Sequence, residues 1–368
     1  MNVSVTCLRA VASMRRSAWT TPAPAAAASR SLSSSSLWPL DLDLSSFPQI
    51  QCSIGYGSGV FRQLGYSMAK RPMVDLVFIV EDAAVAPWHA ANLVAHREHY
   101  SGLMRMLGPA AIAHVQRWGP GLYYNPSVHL QGKDGSTLEA KYGVMTIEDF
   151  LRDLTSWDSM YIAGRLHKPC LIDFWSCDQE VQKAISAAVA LNRKAALSAA
   201  LLECSWNASS QEQVPLFSVL NALVQLSFGG DVRVGIAENP NKVSNIVRGQ
   251  KVELCEVYGP IANELGADFC AAPDGTPLDA RTVTYDCGVE GRRSLFGQLP
   301  DEFRQCAEAA AASTGRGKAP WDDPEIVRGV LSSIVRRSSI IQSGKGVLTA
   351  GPMRSVRYLL QKVRKRLS

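Results

Sequence analysis

Residues Val74 to Val80 read Val-Asp-Leu-Val-Phe-Ile-Val, an apolar run broken only by Asp75. Its length and its β-branched and aromatic content predict a buried strand. An ionised carboxylate inside such a strand is costly unless it is paired, hydrogen-bonded or bound to a metal. Asp75 therefore requires a partner, and that requirement constrains what the rest of the chain can build. Upstream, Ile54 to Gln63 reads as a strand end, a small-residue turn at Gly57-Ser58-Gly59 and a helix start. Backbone N–H groups in a Gly-Ser turn can approach phosphate oxygens closely. A transfer at the α-phosphorus of a nucleoside triphosphate needs such a cradle, together with a divalent metal held by a carboxylate on a neighbouring strand. The two features together point to nucleotidyltransferase chemistry.

The polymerase-β-like superfamily usually sets two metal-binding carboxylates two residues apart on this strand, which puts both on one face. Here the second position is Val77. A second ligand must then come from elsewhere. Asp231, at a predicted strand start after Gly229-Gly230, is the first choice, with Glu81 or Asp82 at the end of the Val74 strand in reserve.

Helix-period and strand-like segments alternate along the chain, which gives an α+β class. Residues 88–118 read as helix in two pieces parted by Gly108-Pro109, since proline removes a backbone donor. Gly121 to Asn125 and Lys141 to Met145 read as paired strands around the polar loop Gln131 to Ser136. Helices follow over Thr146 to Trp157, 179–204 and 214–226, with a loop-rich link at Tyr161 to Pro169. Asp231 to Ile236 reads as a short strand, 270–295 as turn-rich, Pro324 to Val335 as helix, and Arg354 onward as a basic terminal helix. A chain of 368 residues can hold two cores. The expected division is a leader over 1–45, a sheet-bearing domain over 46–175, a helical domain with a completing strand over 176–320, and a C-terminal segment over 321–368.

The first forty residues carry Arg9, Arg15, Arg16 and Arg30 among many Ser and Ala, with no acid before Asp41. That composition suits a mitochondrial presequence. The nine cysteines form no CxxC pair and have no accompanying histidine spacing, which argues against a zinc site or a disulfide framework. The net charge of +5 does not require a nucleic-acid partner, and the eight tryptophans do not interleave with a basic groove. Ala184 to Leu202, the best candidate for a membrane span, is broken by Asn192, Arg193 and Lys194.

Nine motifs occur in order: YGSGVF (56–61), VDLVF (74–78), PWH (87–89), HYS (99–101), GLYYN (121–125), KYGV (141–144), YIAGRLHKP (161–169), GDVR (230–233) and SIVRRSSIIQSGKGVLTAG (333–351). They resemble the mitochondrial phosphatidate cytidylyltransferases, the peripheral type of CDP-diacylglycerol synthase. The resemblance implies CMP transfer from CTP to phosphatidic acid, with magnesium as the metal, on the matrix side of the inner membrane and in the service of cardiolipin synthesis. It also implies a polymerase-β-like nucleotidyltransferase domain followed by a winged-helix-like domain. Carried over by position, Gly57 and Ser58, with Gly59 completing the turn, cradle the CTP phosphates and Asp75 binds the metal, while Asp231 and Arg233 sit in the family's GD-hydrophobic-R segment and Asp231 stays the first choice for the second ligand. Lys141, Arg165, Arg233 and Lys345 neutralise phosphate, lysine as a compact charge and arginine as a planar fork. His89 and His99 stay outside the site, because a helical histidine is more often packed than catalytic and the attacking phosphate needs no general base.

From Arg354, the apolar Val356, Leu359, Leu360, Val363 and Leu367 recur at helical spacing among six cations and no acid. Residues 354–368 are therefore expected to lie on an anionic membrane surface. Two other readings remain open at this point. One is a nucleotidyltransferase acting on RNA or a protein hydroxyl, and the other is an inactive membrane scaffold, suggested by Val77.

Overall fold

The structure, a computed structural model, describes residues 40–61, 63–64, 71–208, 213–233, 241–269 and 276–350. The expected leader up to residue 39 and the basic helix from Arg354 lie outside the described residues.

Five strands form one mixed sheet. They are β1 (Cys52–Tyr56), β2 (Val74–Val80), β3 (Leu122–Gln131), β4 (Thr137–Thr146) and β5 (Cys170–Phe174), in the order β3-β4-β2-β1-β5. β2 runs parallel to β4 and antiparallel to β1, and the outer pairs are antiparallel. A parallel pair requires a crossover. Helices α1 (Val85–Ala95) and α2 (Gly102–Gln116), followed by β3, provide it.

Alternation along β2 decides what each face of the sheet meets. Val74, Leu76, Phe78 and Val80 enter one cluster with Phe47, Trp88 and Tyr142. Val77 and Ile79 enter the other, larger cluster, with α3 (Ile147–Ser156) and α5 (Gln179–Ser205) packed above them. Asp75 shares the second face by register. α3 is defined at both ends: the Thr146 hydroxyl accepts from the Asp149 N–H at 3.0 Å, Glu148 and Asp149 favour the positive end of the dipole, and Trp157 closes it in the left-handed region at φ 57°.

The larger cluster continues without a break through α6 (Leu216–Gln225), α7 (Lys242–Gly249), α8 (Lys251–Glu264), α9 (Val289–Gly297) and α10 (Asp301–Thr314). Two short strands, β6 (Gln213–Pro215) and β7 (Thr282–Thr284), pair antiparallel within this part. α4 (Ala163–Leu166) is a single turn leading into β5, and α11 (Pro324–Ala350) ends the described chain. The protein is thus α+β with a mixed sheet.

Several local expectations change. The interruption near residue 100 is double: α1 stops at Ala95, and α2 carries a kink where Gly108 adopts φ 81° and ψ 176° before Pro109. Residues 231–233 form a turn rather than a strand start. The stretch read as turn-rich contains β7 and the beginning of α9. α11 runs on past Val335 to Ala350. α5 is long and apolar enough to cross a membrane by length and composition, but 67% of its most apolar window is buried inside the protein.

Candidate active site

The turn after β1 is shaped by its glycines. Gly57 has φ +78°, a conformation that costs L side chains, and a Cβ there would sit 3.3 Å from Asp75 Oδ2. The Val60 and Phe61 N–H groups both donate to the Gly57 carbonyl, at 3.1 and 2.9 Å. At Gly59 a Cβ would lie 2.3 Å from the Met73 carbonyl oxygen, so only glycine lets the turn close on the start of β2. Arg71 Nε donates to the Gly59 carbonyl at 2.9 Å and fixes the far side.

Register then does what sequence spacing cannot. Tyr56 on β1 lies opposite Asp75 on β2, and Asp75 lies beside Lys141 on β4. The three side chains form a row across adjacent strands, with Lys141 Nζ 4.0 Å from Asp75 Oδ1. Lys141 Nζ also rests 3.8 Å from the centroid of the Tyr124 ring. Gly143 makes room for that ring, because a Cβ at Gly143 would come within 2.9 Å of Tyr124 Cε1. The hydroxyls of Tyr56 and Tyr124 are hydrogen-bonded at 2.9 Å.

Arg165 closes this arrangement from α4. Its Nε donates to the Tyr56 hydroxyl at 3.3 Å, and its guanidinium stacks 3.8 Å from the Tyr161 ring centroid. The loop that carries it is organised by Asp153, a buried carboxylate on α3. Asp153 accepts from the N–H and hydroxyl of Ser159, at 2.9 and 2.7 Å, and from the N–H groups of Ile162 and Ala163, at 2.8 and 3.0 Å. Burial pushes the Tyr161 phenol up, but Arg165, Arg233 and Lys141 together bring it below the ordinary tyrosine range. Arg165 stacks on this ring while the Arg233 and Lys141 charges act on it from further away, a positive field suited to a polyanion.

Asp231 and Arg233 occupy the turn after α6. Arg233 Nε donates to Asp231 Oδ1 at 2.9 Å and Nη2 to Oδ2 at 2.6 Å, while Ser339 Oγ on α11 donates to Oδ1 at 2.6 Å. Burial raises the Asp231 carboxyl, and the bonds from Arg233 and Ser339 hold it well below the usual range in spite of that. To ligate a metal, Asp231 would have to give up part of this fork. Glu81 and Asp82 lie past the other end of β2, with about 17 Å of strand at 3.3 Å per residue between them and Asp75. Val77, at the position of the expected second carboxylate, is fully buried in the main core on the face of β2 that meets α3.

Lys345 has different neighbours. Its Nζ donates to the carbonyls of Gln116, at 3.0 Å, and Trp118, at 2.7 Å, at the end of α2. Burial lowers its pKa to about 7.

A family model described as mitochondrial phosphatidate cytidylyltransferase matches residues 42–365. The chain belongs to the mitochondrial phosphatidate cytidylyltransferase family. Proteins of that name from Xenopus laevis and Drosophila melanogaster are 35% and 34% identical to it, over 88% and 84% of this chain and 93% and 92% of theirs. The Schizosaccharomyces pombe protein of the same name is 31% identical, over 86% of this chain and 80% of its own.

In this member of the cytidylyltransferase family, sequence reasoning passed over Tyr56, Tyr124, Tyr161, Asp153 and Ser339. Tyr56 adjoins the Gly-Ser turn, and Tyr161 precedes Arg165 by four residues inside YIAGRLHKP, so those two leave a signal in the sequence. His89 is buried and linked to Tyr100 and Gln116 at 2.8 Å each, a packed histidine as expected. Among the described residues, His96, Glu98 and His99 have side chains close enough to share an ion. Imidazole donors suit softer metals than magnesium, so this group does not substitute for Asp75.

Proposed function

We propose that this chain transfers CMP from CTP to phosphatidic acid, giving CDP-diacylglycerol and pyrophosphate for cardiolipin synthesis at the matrix face of the mitochondrial inner membrane. Family membership supports the reaction, and the name shared by the relatives supports the mitochondrial location. The observation that carries the reading is the row Tyr56, Asp75, Lys141 set beneath the Gly57 turn. We read the sheet as a polymerase-β-like nucleotidyltransferase domain, and α5 to α10 with the β6–β7 pair as a winged-helix-like domain. Residues 354–368 provide an attachment to anionic lipid.

Asp75 suits magnesium: its carboxylate offers hard oxygens, its side chain is 26% exposed, and the bare Cα of Gly57 leaves Oδ2 uncovered. Bound there with the triphosphate, magnesium would neutralise charge on the phosphate oxygens. The chain's own groups do the positioning. The Gly57-Ser58-Gly59 backbone cradles the phosphates, Lys141 adds a point charge held by Asp75 and the Tyr124 ring, and Arg165, stacked on Tyr161, and Arg233, its Nε and Nη2 turned to Asp231, add positive charge toward the same polyanion. Asp231 aims Arg233 and is itself fixed by Ser339. A phosphate oxygen of phosphatidate attacks the α-phosphorus in line, the bond to the bridging oxygen of the β-phosphate breaks, and pyrophosphate leaves. No proton transfer is needed, so positioning and electrostatics supply the rate.

The test is full-length protein with magnesium, α-labelled CTP and phosphatidate. Label should move into lipid, and Asp75→Asn should lower kcat/KM on the order of a hundred- to a thousandfold. Label appearing in RNA or protein instead would move the acceptor to another class, and full activity of the Asp75→Asn protein would remove Asp75 from the site.

A further inference from the structure

α2 turns its apolar side outward. Leu103, Met106 and Leu107 follow one another at i, i+3 and i+4, the spacing of a single helix face, and all three are exposed, Met106 by 77%. Val94, near the end of α1, is 87% exposed. The inward side is already filled: Met104, Ile112 and Val115 are buried with Tyr100 and Tyr123. Contiguous large apolar side chains on a surface mark an interaction site rather than chance exposure.

The charge around this face is mainly positive, with the exposed Glu98 beside Arg97 as the acid at its edge. Arg97, Arg105 and Arg117 are exposed, and no acid occurs in the sequence between Glu98 and Asp134. α11 is tied alongside. Lys345 bonds the carbonyls at the end of α2, Ile341 lies against Gly119, and Leu348 packs on the Tyr100 cluster. After Glu325 the sequence has no further acid. The exposed Trp118 and Val347 stand on these joined elements, so α11 reaches Ala350, the last described residue, beside α2.

We propose that the outer face of α2, with Trp118 and the flanking arginines, is a membrane-docking surface that enters an anionic lipid layer. Apolar side chains within a rim of cations and an interfacial tryptophan are what such a layer accepts, the side chains among acyl chains and the guanidinium groups at headgroup phosphates. The proposal rests on the reading of the substrate as a membrane lipid, and adds a second contact to the one expected of residues 354–368.

The test uses full-length protein and vesicles of phosphatidylcholine, alone or mixed with phosphatidylglycerol or with phosphatidate. Two variants are compared with the parent: the triple change Leu103→Ser, Met106→Ser, Leu107→Ser, and the pair Arg105→Glu, Arg117→Glu. All five side chains are exposed, so the fold is retained, and turnover of a short-chain, monomeric phosphatidate checks this. Each variant should bind both kinds of anionic vesicle about tenfold or more weakly, and lose turnover of vesicle-borne phosphatidate in parallel, with short-chain turnover kept. Parental levels of vesicle binding by the triple variant overturn the proposal. So does a concentration-dependent dimer of the parent that the triple change abolishes with vesicle binding intact, which makes the face a contact between copies. A drop in the unfolding midpoint of the triple variant without change in vesicle binding also overturns it, since it places the three side chains in a contact within the chain rather than at lipid. If the parent fails to turn over short-chain phosphatidate, the catalytic reading falls, while vesicle sedimentation still decides the docking face.

Discussion

Replacing Lys345 by methionine keeps an apolar stem of similar length and removes an ammonium group that is 2% exposed. In the folded chain burial lowers this lysine to about 7, against 10.5 for an unperturbed side chain. Between those two values the unfolded chain holds a proton that the folded chain has released, so the unfolded state binds more protons and stability rises with pH. The cost of burying the charge is fully present below the folded pKa and is relieved as pH climbs toward the unfolded value. At about 1.4 kcal/mol per pH unit, the group contributes a rise of roughly 2 kcal/mol from pH 7 to pH 9, and about 5 kcal/mol over the whole window. Lys345→Met cannot titrate and lacks that slope. Urea unfolding of both proteins at pH 7, 8 and 9, followed by tryptophan fluorescence, reads the difference directly. The gap between their unfolding free energies should change by about 2 kcal/mol across the series. Parallel stability curves would refute the reasoning. If the variant instead showed an unchanged slope and a tenfold higher KM for CTP, Lys345 would belong with the phosphate ligands, as its motif first suggested.

Gly59→Ala forces a Cβ to within 2.3 Å of the Met73 carbonyl and 2.8 Å of Val74 Cα, so the turn must open. It should cost about 2 kcal/mol or more of stability by chemical unfolding and raise KM for CTP. Ser339→Ala removes the 2.6 Å bond to Asp231 and loosens the aim of Arg233. A loss of about 1.5 kcal/mol of stability by urea unfolding is expected, since a hydrogen bond to a charged group contributes about that much, together with a fall in kcat/KM of roughly five- to tenfold. Burial brings His89 down to about 4 from 6.5 although its bond to Gln116 favours the charged form. The unfolded chain therefore takes up this proton first, and stability present above pH 6.5 is lost as pH falls toward 4, by about 3 kcal/mol in thermal unfolding. His89→Gln should flatten that acid limb.

The sequence was most legible where one residue pattern has one physical outcome. The Val74 strand, the Gly57 turn and the α3 helix with its Thr146 cap are local, and each agrees with its surroundings. The expected end of α11 falls short of Ala350 because its later buried positions, Ser338, Gln342, Lys345 and Thr349, are polar, so a helical face is present but carries no hydrophobic period. Over 231–233 a turn replaces the expected strand start for a related reason: an aspartate that accepts from the Arg233 side chain and N–H holds a turn, and sequence spacing does not show which partner it takes. The row of Tyr56, Asp75 and Lys141 depends on the registers of two strand pairs far apart in the chain, and only the folded sheet sets them. Asp153 shaping the Arg165 loop is hidden likewise, because its value lies in four bonds to a segment that follows it.

α5 has a consequence for the chain before it folds. Unfolded, Gln179–Ser205 presents to any bilayer or insertion machinery a segment that passes for a spanning helix by length and composition. Asn192, Arg193 and Lys194 fall at its midpoint, where each of the two cations raises the cost of insertion by about 2.5 to 3.5 kcal/mol. Once folded, Asn192 accepts from Trp157 Nε1 at 2.8 Å and His167 Nε2 at 3.2 Å, and donates to the Ala163 carbonyl at 3.1 Å. The three residues that keep the helix out of lipid thus include the one that locks it beneath the Arg165 loop, so a change to leucines there would weaken the core and create a stop-transfer segment together.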